Sequence, residues 1–262
     1  MLFRSPRDLT RVIGVSSDPI MSLGPLGAFD EFGTYPVSVA RHGVEVRAYY
    51  GGWTRCSSVP FDVAIGYAVS HDAGRTFQKH GSGPVLGASL HEPFVMSGPK
   101  IRRFQDRWYL FYISGTKWIA TEGRAEPVYR IRMATSNDGI EWQRHGHELL
   151  APRLEADECQ ASPDVIFANG KYHMFFCYRY SLGYRGHERG YRIGYASSPD
   201  LVTWTRLEVL GTTNREIVEP RFGHSVSLPI SIREIDAPSI VKSRPKAPVG
   251  LAGVVSLDGD VK

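Results

Sequence analysis

Residues 67–77 read YAVSHDAGRTF, and the same unit returns as MATSNDGIEW at 133–142 and as YASSPDLVTW at 195–204. Each copy closes an apolar run on Ala-x-Ser, places an Asp two residues after the Ser, and sets an aromatic four to five residues after that Asp. Ser70, Ser136 and Ser198 anchor the copies, at steps of 66 and 62 residues. The unit suits a tight hairpin. The Asp carboxylate accepts backbone N–H groups across the turn, Gly supplies the positive φ, and the aromatic anchors the next strand in the core.

Working outward from these hairpins, four strands fit each repeat. A first strand follows a proline, at Pro36, Pro99 and Pro163. A second, aromatic-rich strand follows a short polar turn, as VEVRAYY (44–50), WYLFYIS (108–114) and YHMFFCYR (172–179). A third carries VAIGYAVS (63–70), YRIRMATS (129–136) or YRIGYASS (191–198), and a fourth opens at Phe77, Trp142 or Trp204. Second strands apolar on both faces belong to sheets held between two neighbours. Four antiparallel strands repeating at this period predict an all-β chain, a β-propeller of four-stranded blades. The repeats span about 35–82, 97–148 and 162–210 within a propeller domain of 1–220, with a divergent tail at 221–262. Residues 115–128 and 180–190 stand as insertions between second and third strands, expected at one rim.

The chain has 262 residues with a formal net charge of +4, so neither nucleic acid nor a membrane surface is implied as partner. Cys56, Cys159 and Cys177 are widely spaced and form no CxxC pair, and Cys177 within MFFCY reads as a core residue. The first residues hold no apolar signal region, and no apolar run reaches membrane-spanning length; a cytoplasmic protein is expected.

The runs GAFDEFGTYPVSV (27–39), AYYGGW (48–53) and VPFDVAIGYAVSHDAGRTF (59–77), continued by WYLFYISG and the two later repeats, resemble the five-bladed propeller glycosidases of the clan of glycoside hydrolase families 43 and 32. The resemblance covers about residues 24–220 and is nearest to an uncharacterised bacterial branch. It implies further blade elements before the FDEFG stretch and after Glu216, so the chain reads as truncated at both ends. It also implies paired carboxylates at one channel mouth, a general acid and a base or nucleophile. Each candidate first strand has an acid shortly before its proline: Asp30, Glu92, Glu158 and Glu216. By the resemblance Glu158, in DECQASP, is the acid and Asp30 the base or nucleophile. Gly98 stands where family 32 places a third, pKa-tuning Asp, a role left to Glu92.

Sugar faces stack on aromatics, which singles out Trp53, Trp118 and Tyr184; Arg179, Arg185 and His187 form a basic cluster suited to an anionic group. His145 and His80 share a repeat position, so His145 and His147 give no metal site; neither metal nor cofactor is expected. The leading expectation is a carbohydrate-active enzyme cleaving or transferring glycosidic bonds. The alternatives are a non-catalytic carbohydrate-binding or scaffold propeller and a sialidase, although Arg130 and Arg192 recur at one repeat position rather than as a substrate triad. Unpaired blade edges also raise self-association as an expectation.

Overall fold

A computed structural model of the chain describes residues 2–4, 12–186 and 188–207. His187, Glu216 and the tail at 221–262 lie outside the described residues. Among the described residues no helix occurs, and the strands build one two-stranded and three four-stranded antiparallel sheets. β1 (Leu2–Arg4) pairs with β2 (Val12–Val15). Sheet I runs β3 (Gly33–His42), β4 (Glu45–Thr54), β5 (Asp62–Ser70), β6 (Gln78–Lys79). Sheet II runs β7 (Met96–Phe104), β8 (Arg107–Thr121), β9 (Arg124–Ser136), β10 (Gln143–Arg144). Sheet III runs β11 (Cys159–Ala168), β12 (Lys171–Arg179), β13 (Arg192–Ser198), β14 (Thr205–Leu207). Each sequence repeat is one propeller blade.

The first strands begin before their prolines, not after them. Pro36, Pro99 and Pro163 sit inside β3, β7 and β11, where the register with the second strand slips by one bulge. A bulge needs no ladder N–H, so a proline fits there without breaking the strand. Gly98 takes a φ of 59° in that bulge and Ser162 a φ of 51° at the same repeat position. Gly98 thus meets a left-handed backbone demand of the bulge.

The aromatic second strands hold the blades together: those of sheets I and II are covered on both faces and that of sheet III on one. Tyr49, Ile65 and Tyr67 of sheet I pack against Ile101, Trp108, Leu110 and Tyr112 of sheet II. Phe111, Ile113, Ile131 and Met133 of sheet II pack against Val165, Met174, Phe176 and Leu201 of sheet III. The other face of sheet I is covered by Ile20, Met21 and Phe29, which precede it. Across the inner strands β7 lies between β3 and β11. There Ser38, Lys100 and Asp164 share one register position: Ile101 N–H donates to Ser38 Oγ at 3.1 Å, and Asp164 is paired by Lys100 Nζ at 2.7 Å and by Arg102. The far face of sheet III has no such cover among the described residues. Ile193 is 58% exposed there and Cys177 is half-buried, not a core residue, because no next sheet lies on it.

The three hairpins form as their spacing predicts. Asp72 accepts the N–H groups of Arg75 and Thr76, Asp138 those of Ile140 and Glu141, and Asp200 those of Val202 and Thr203. Ser70, Ser136 and Ser198 each donate to their Asp and accept N–H groups at the turn. Positive φ falls to Ala73 and Gly74 in the first copy, to Gly139 in the second and to Leu201 in the third. These turns close the ends of β5, β9 and β13, opposite the end at which those strands begin.

Candidate functional site

The candidate acids occupy one repeated environment. Asp30, Glu92 and Glu158 are all buried, at 2%, 1% and 0% exposure. Each pairs with the cation at the same position of its own fourth strand, the residue in register with Ala68, Ala134 or Ala196. Lys79 Nζ stands 2.5 Å from Asp30 Oδ2, Arg144 pairs with Glu92, and Arg206 Nη1 donates to Glu158 Oε1 at 2.7 Å. In the first two blades the equivalent tyrosines Tyr50 and Tyr112 also donate to the carboxylate, at 2.8 and 2.9 Å. Both phenols are pushed well above their ordinary range by burial and by that carboxylate. Phe176 stands at this position in the third blade, and there the N–H groups of Arg153 and Leu154 and the Gln160 amide serve instead, at 2.9–3.0 Å. Burial pushes the Glu158 carboxyl up, but Arg206 and these other donors outweigh it and hold it below the ordinary carboxylate value.

A more open set of residues lies at the same end, where β3, β7 and β11 begin. The segment 115–128 is not a loop insertion: past one bulge between Gly115 and Lys117, β8 and β9 stay paired out to Thr121 and Arg124, so it stands as a two-stranded wall. Its side chains alternate between two sides. Trp118 points toward sheet I and meets Phe61 at 5.4 Å between ring centroids, and Phe61 meets Trp53 at 4.8 Å. Trp53 Nε1 donates to the Tyr35 carbonyl, which fixes its indole. All three rings are partly exposed.

The other side of the wall faces the segment 180–190 of the third blade. Glu126 accepts from Tyr184 Oη and Arg185 Nη1, both at 2.9 Å, and is paired by Arg124. Burial raises its carboxyl, yet Arg185, Tyr184 and Arg124 bring it below the ordinary value. Arg179 is almost wholly buried beneath this group. Its guanidinium donates to the carbonyls of Tyr180 and Ser181 and to Tyr129 Oη, and its Cζ lies 3.5 Å from the Tyr184 ring centroid. Tyr129 and Tyr191 hydroxyls meet at 3.0 Å. Lys117 ties the wall to Asp157 at 2.8 Å.

No family model matches the chain. Two uncharacterised proteins of Mycobacterium tuberculosis, MT1551 of strain CDC 1551 and Rv1502 of strain H37Rv, are each 30% identical over 197 residues. The match takes in 75% of this chain, which spans 62% of the length of these relatives. Among solved structures the BT0996 RGII complex aligns at a TM-score of 0.56 and 18% identity, over 70% of this protein and 59% of that one. A glycoside hydrolase aligns at 0.56 and 17%, over 70% and 57%, and the Bombyx mori GH32 beta-fructofuranosidase BmSUC1 at 0.53 and 19%, over 71% and 39%. The fold is that of these propeller glycosidases.

Of the residues singled out from sequence, the structure thus brings Trp53 and Trp118 into one aromatic run and Arg179, Tyr184 and Arg185 into one basic group, the wall between them. Asp30, Glu92 and Glu158 are each paired with a cation of their own blade. Phe61, Glu126, Tyr129 and Tyr191 complete the two groups and escaped the sequence reading. Tyr129 and Tyr191 each lie seven residues before an anchoring Ser, so the repeat itself carried their signal. Arg130 and Arg192 serve structure: Arg130 pairs with Glu148 at 3.2 Å and bonds the Ala156 carbonyl, and Arg192 bonds the carbonyls of Glu188 and Gly190.

Proposed function

We propose that this chain is a carbohydrate-active propeller that holds saccharide at the end where its inner strands begin, with the Trp53–Phe61–Trp118 run as the stacking surface. That run is the observation that carries the reading. Partly exposed aromatic rings, one of them fixed by its indole N–H, match the apolar C–H face of a sugar ring. The glycosidase fold supports the same ligand class. The relatives also support a five-bladed whole: 197 residues at 62% puts them near 320, so about 120 residues, nearly two repeats, are unmatched.

The geometry favours binding over hydrolysis by Asp30 and Glu158. A general acid must be protonated near the working pH, whereas Glu158 is held ionised by Arg206 and the surrounding donors. The glycosidase-like fold keeps cleavage or transfer by that pair as the second reading. One experiment separates the two. Glycan-array binding and turnover of aryl glycosides are measured for the wild type, Trp118→Ala, Asp30→Asn and Glu158→Gln. Binding lost in Trp118→Ala with no turnover by any form is expected. Wild-type turnover that is abolished in Asp30→Asn and Glu158→Gln, with both variants still folded at the assay temperature by circular dichroism, would establish the enzyme instead, and absence of all glycan binding would end the proposal.

A further inference from the structure

The wall's two sides differ in charge as well as in chemistry. Toward sheet I Trp118 meets Phe61, which in turn meets Trp53, and no cation–π contact to Trp118 occurs among the described residues. On the side toward sheet III, Lys117, Arg124, Arg179, Arg185 and Arg189 stand against the carboxylates of Glu126, Asp157 and Glu155, so cations are in excess among the described residues. Arg179 has no acidic partner among the described residues. Its nitrogens meet carbonyl oxygens and a phenol, and its Nε is buried without any partner. A guanidinium taken out of water is ordinarily balanced by a carboxylate or phosphate. Arg185 adds a second guanidinium over the same ring, its Cζ 4.4 Å from the Tyr184 centroid, and its side chain is 57% exposed. Tyr191, whose hydroxyl belongs to the Tyr129 pair beneath, is 51% exposed beside it. Two cations on one aromatic ring repel one another, and Glu126 reaches only one of them.

We infer that this side of the wall is an oxyanion subsite: the carboxylate or phosphate of an acidic saccharide seats against Arg185 and the Tyr191 hydroxyl, over the buried charge of Arg179, while the stacking surface of Trp118 lies on the opposite side of the wall. The inference rests on the carbohydrate reading above and adds the substrate class. A planar guanidinium suits either group, since both present paired oxygens to its two N–H donors. The buried Arg179 acts through Tyr184 and Tyr129 as a positioning residue, holding the segment 180–190 so that Arg185 faces outward, and it supplies field in a place that water does not screen.

The test is calorimetric titration of the full chain with two matched pairs: an oligogalacturonide against its carboxyl-reduced form, and a hexose 1-phosphate against the hexose. A charged member bound about tenfold or more tightly, the worth of one charge-assisted bond, is expected in at least one pair, and which pair tells carboxylate from phosphate. That preference shrinks in Arg185→Gln and on raising the salt from about 50 to about 500 mM. In Glu126→Gln it grows, because a competing negative charge is removed and Arg185 loses its ionic partner, while the amide oxygen keeps one of the two hydrogen bonds that Tyr184 and Arg185 donate. A merely structural role for the cluster would weaken binding in both variants alike. Equal affinities within both pairs would overturn the subsite while leaving carbohydrate binding intact, and binding of none of the four would overturn both readings. Trp118→Ala, which should lower affinity for charged and neutral members together, keeps the two outcomes apart.

Discussion

Glu158 lies at the centre of a closed set of donors, and its energetics follow from that enclosure. Removing one partner of a buried ion pair strands the other, at a cost on the order of 3 kcal/mol. Glu158→Gln should therefore lower stability by about that amount at pH 7, measured by chemical denaturation, because Arg206 keeps its charge in place of a pair. The pH dependence has a fixed sign. The folded carboxyl lies below its ordinary value of 4.5, so its contribution is fully present above that value and drains away as pH falls through the lower folded value. The wild-type melting temperature should thus fall on acidification below about 4.5, and the decline should flatten in Glu158→Gln. A variant as stable as the wild type, with the same acid limb, would remove the clasp. Glu92, which faces Arg132 as well as Arg144, should show a comparable loss in Glu92→Gln.

At the scale of elements the hairpins set the blade geometry. Asp72→Asn weakens the acceptor of two turn N–H groups and should lower the melting temperature while leaving glycan binding unchanged, since the turn closes the end of sheet I away from the aromatic run. The third hairpin poses a sharper contest. Leu201 holds a φ of 68°, which glycine would adopt more readily, yet its side chain is buried in the core between sheets II and III. Left-handed backbone costs roughly 1–2 kcal/mol, and deleting a buried leucine side chain costs about 2–5 kcal/mol. Leu201→Gly should accordingly destabilise, by denaturant midpoint, despite the relieved backbone. These turns were legible in the sequence because their chemistry is local: Ser, Asp and a turn residue act within five positions. The wall was not, since Gly123 and Pro127 read as breakers, whereas the first lies at the turn and the second at a paired position opposite Trp118. The acids were half legible. Their recurrence before each first strand was plain, but spacing alone does not show that each is buried against the cation of its own fourth strand, Lys79, Arg144 or Arg206.

At the scale of the whole molecule the decisive contrast, among the described residues, is between faces that are covered and one that is not. Sheet I is closed by residues 20–29 and sheet II lies between its neighbours, while sheet III presents Ile193, Phe175, Tyr195 and Leu207 outward. An apolar sheet face of this kind attracts a second copy. Sedimentation velocity should show concentration-dependent association that Ile193→Lys reduces; a strictly monomeric wild type at high concentration would refute it. The stacking has a kinetic counterpart. Each sheet touches only those beside it, so the chain resembles a short one-dimensional lattice in which the stability of a unit is its own plus that of its shared boundaries. Sheet II has two such boundaries and sheet III one. In native-state hydrogen exchange the amides of β8 should open only with the whole molecule, and those of β13 by a smaller, separate excursion. Such an end-first order would place the Arg179 and Tyr184 group on the unit that loosens first, and an acidic saccharide bound there would be read out as slowed exchange in β13.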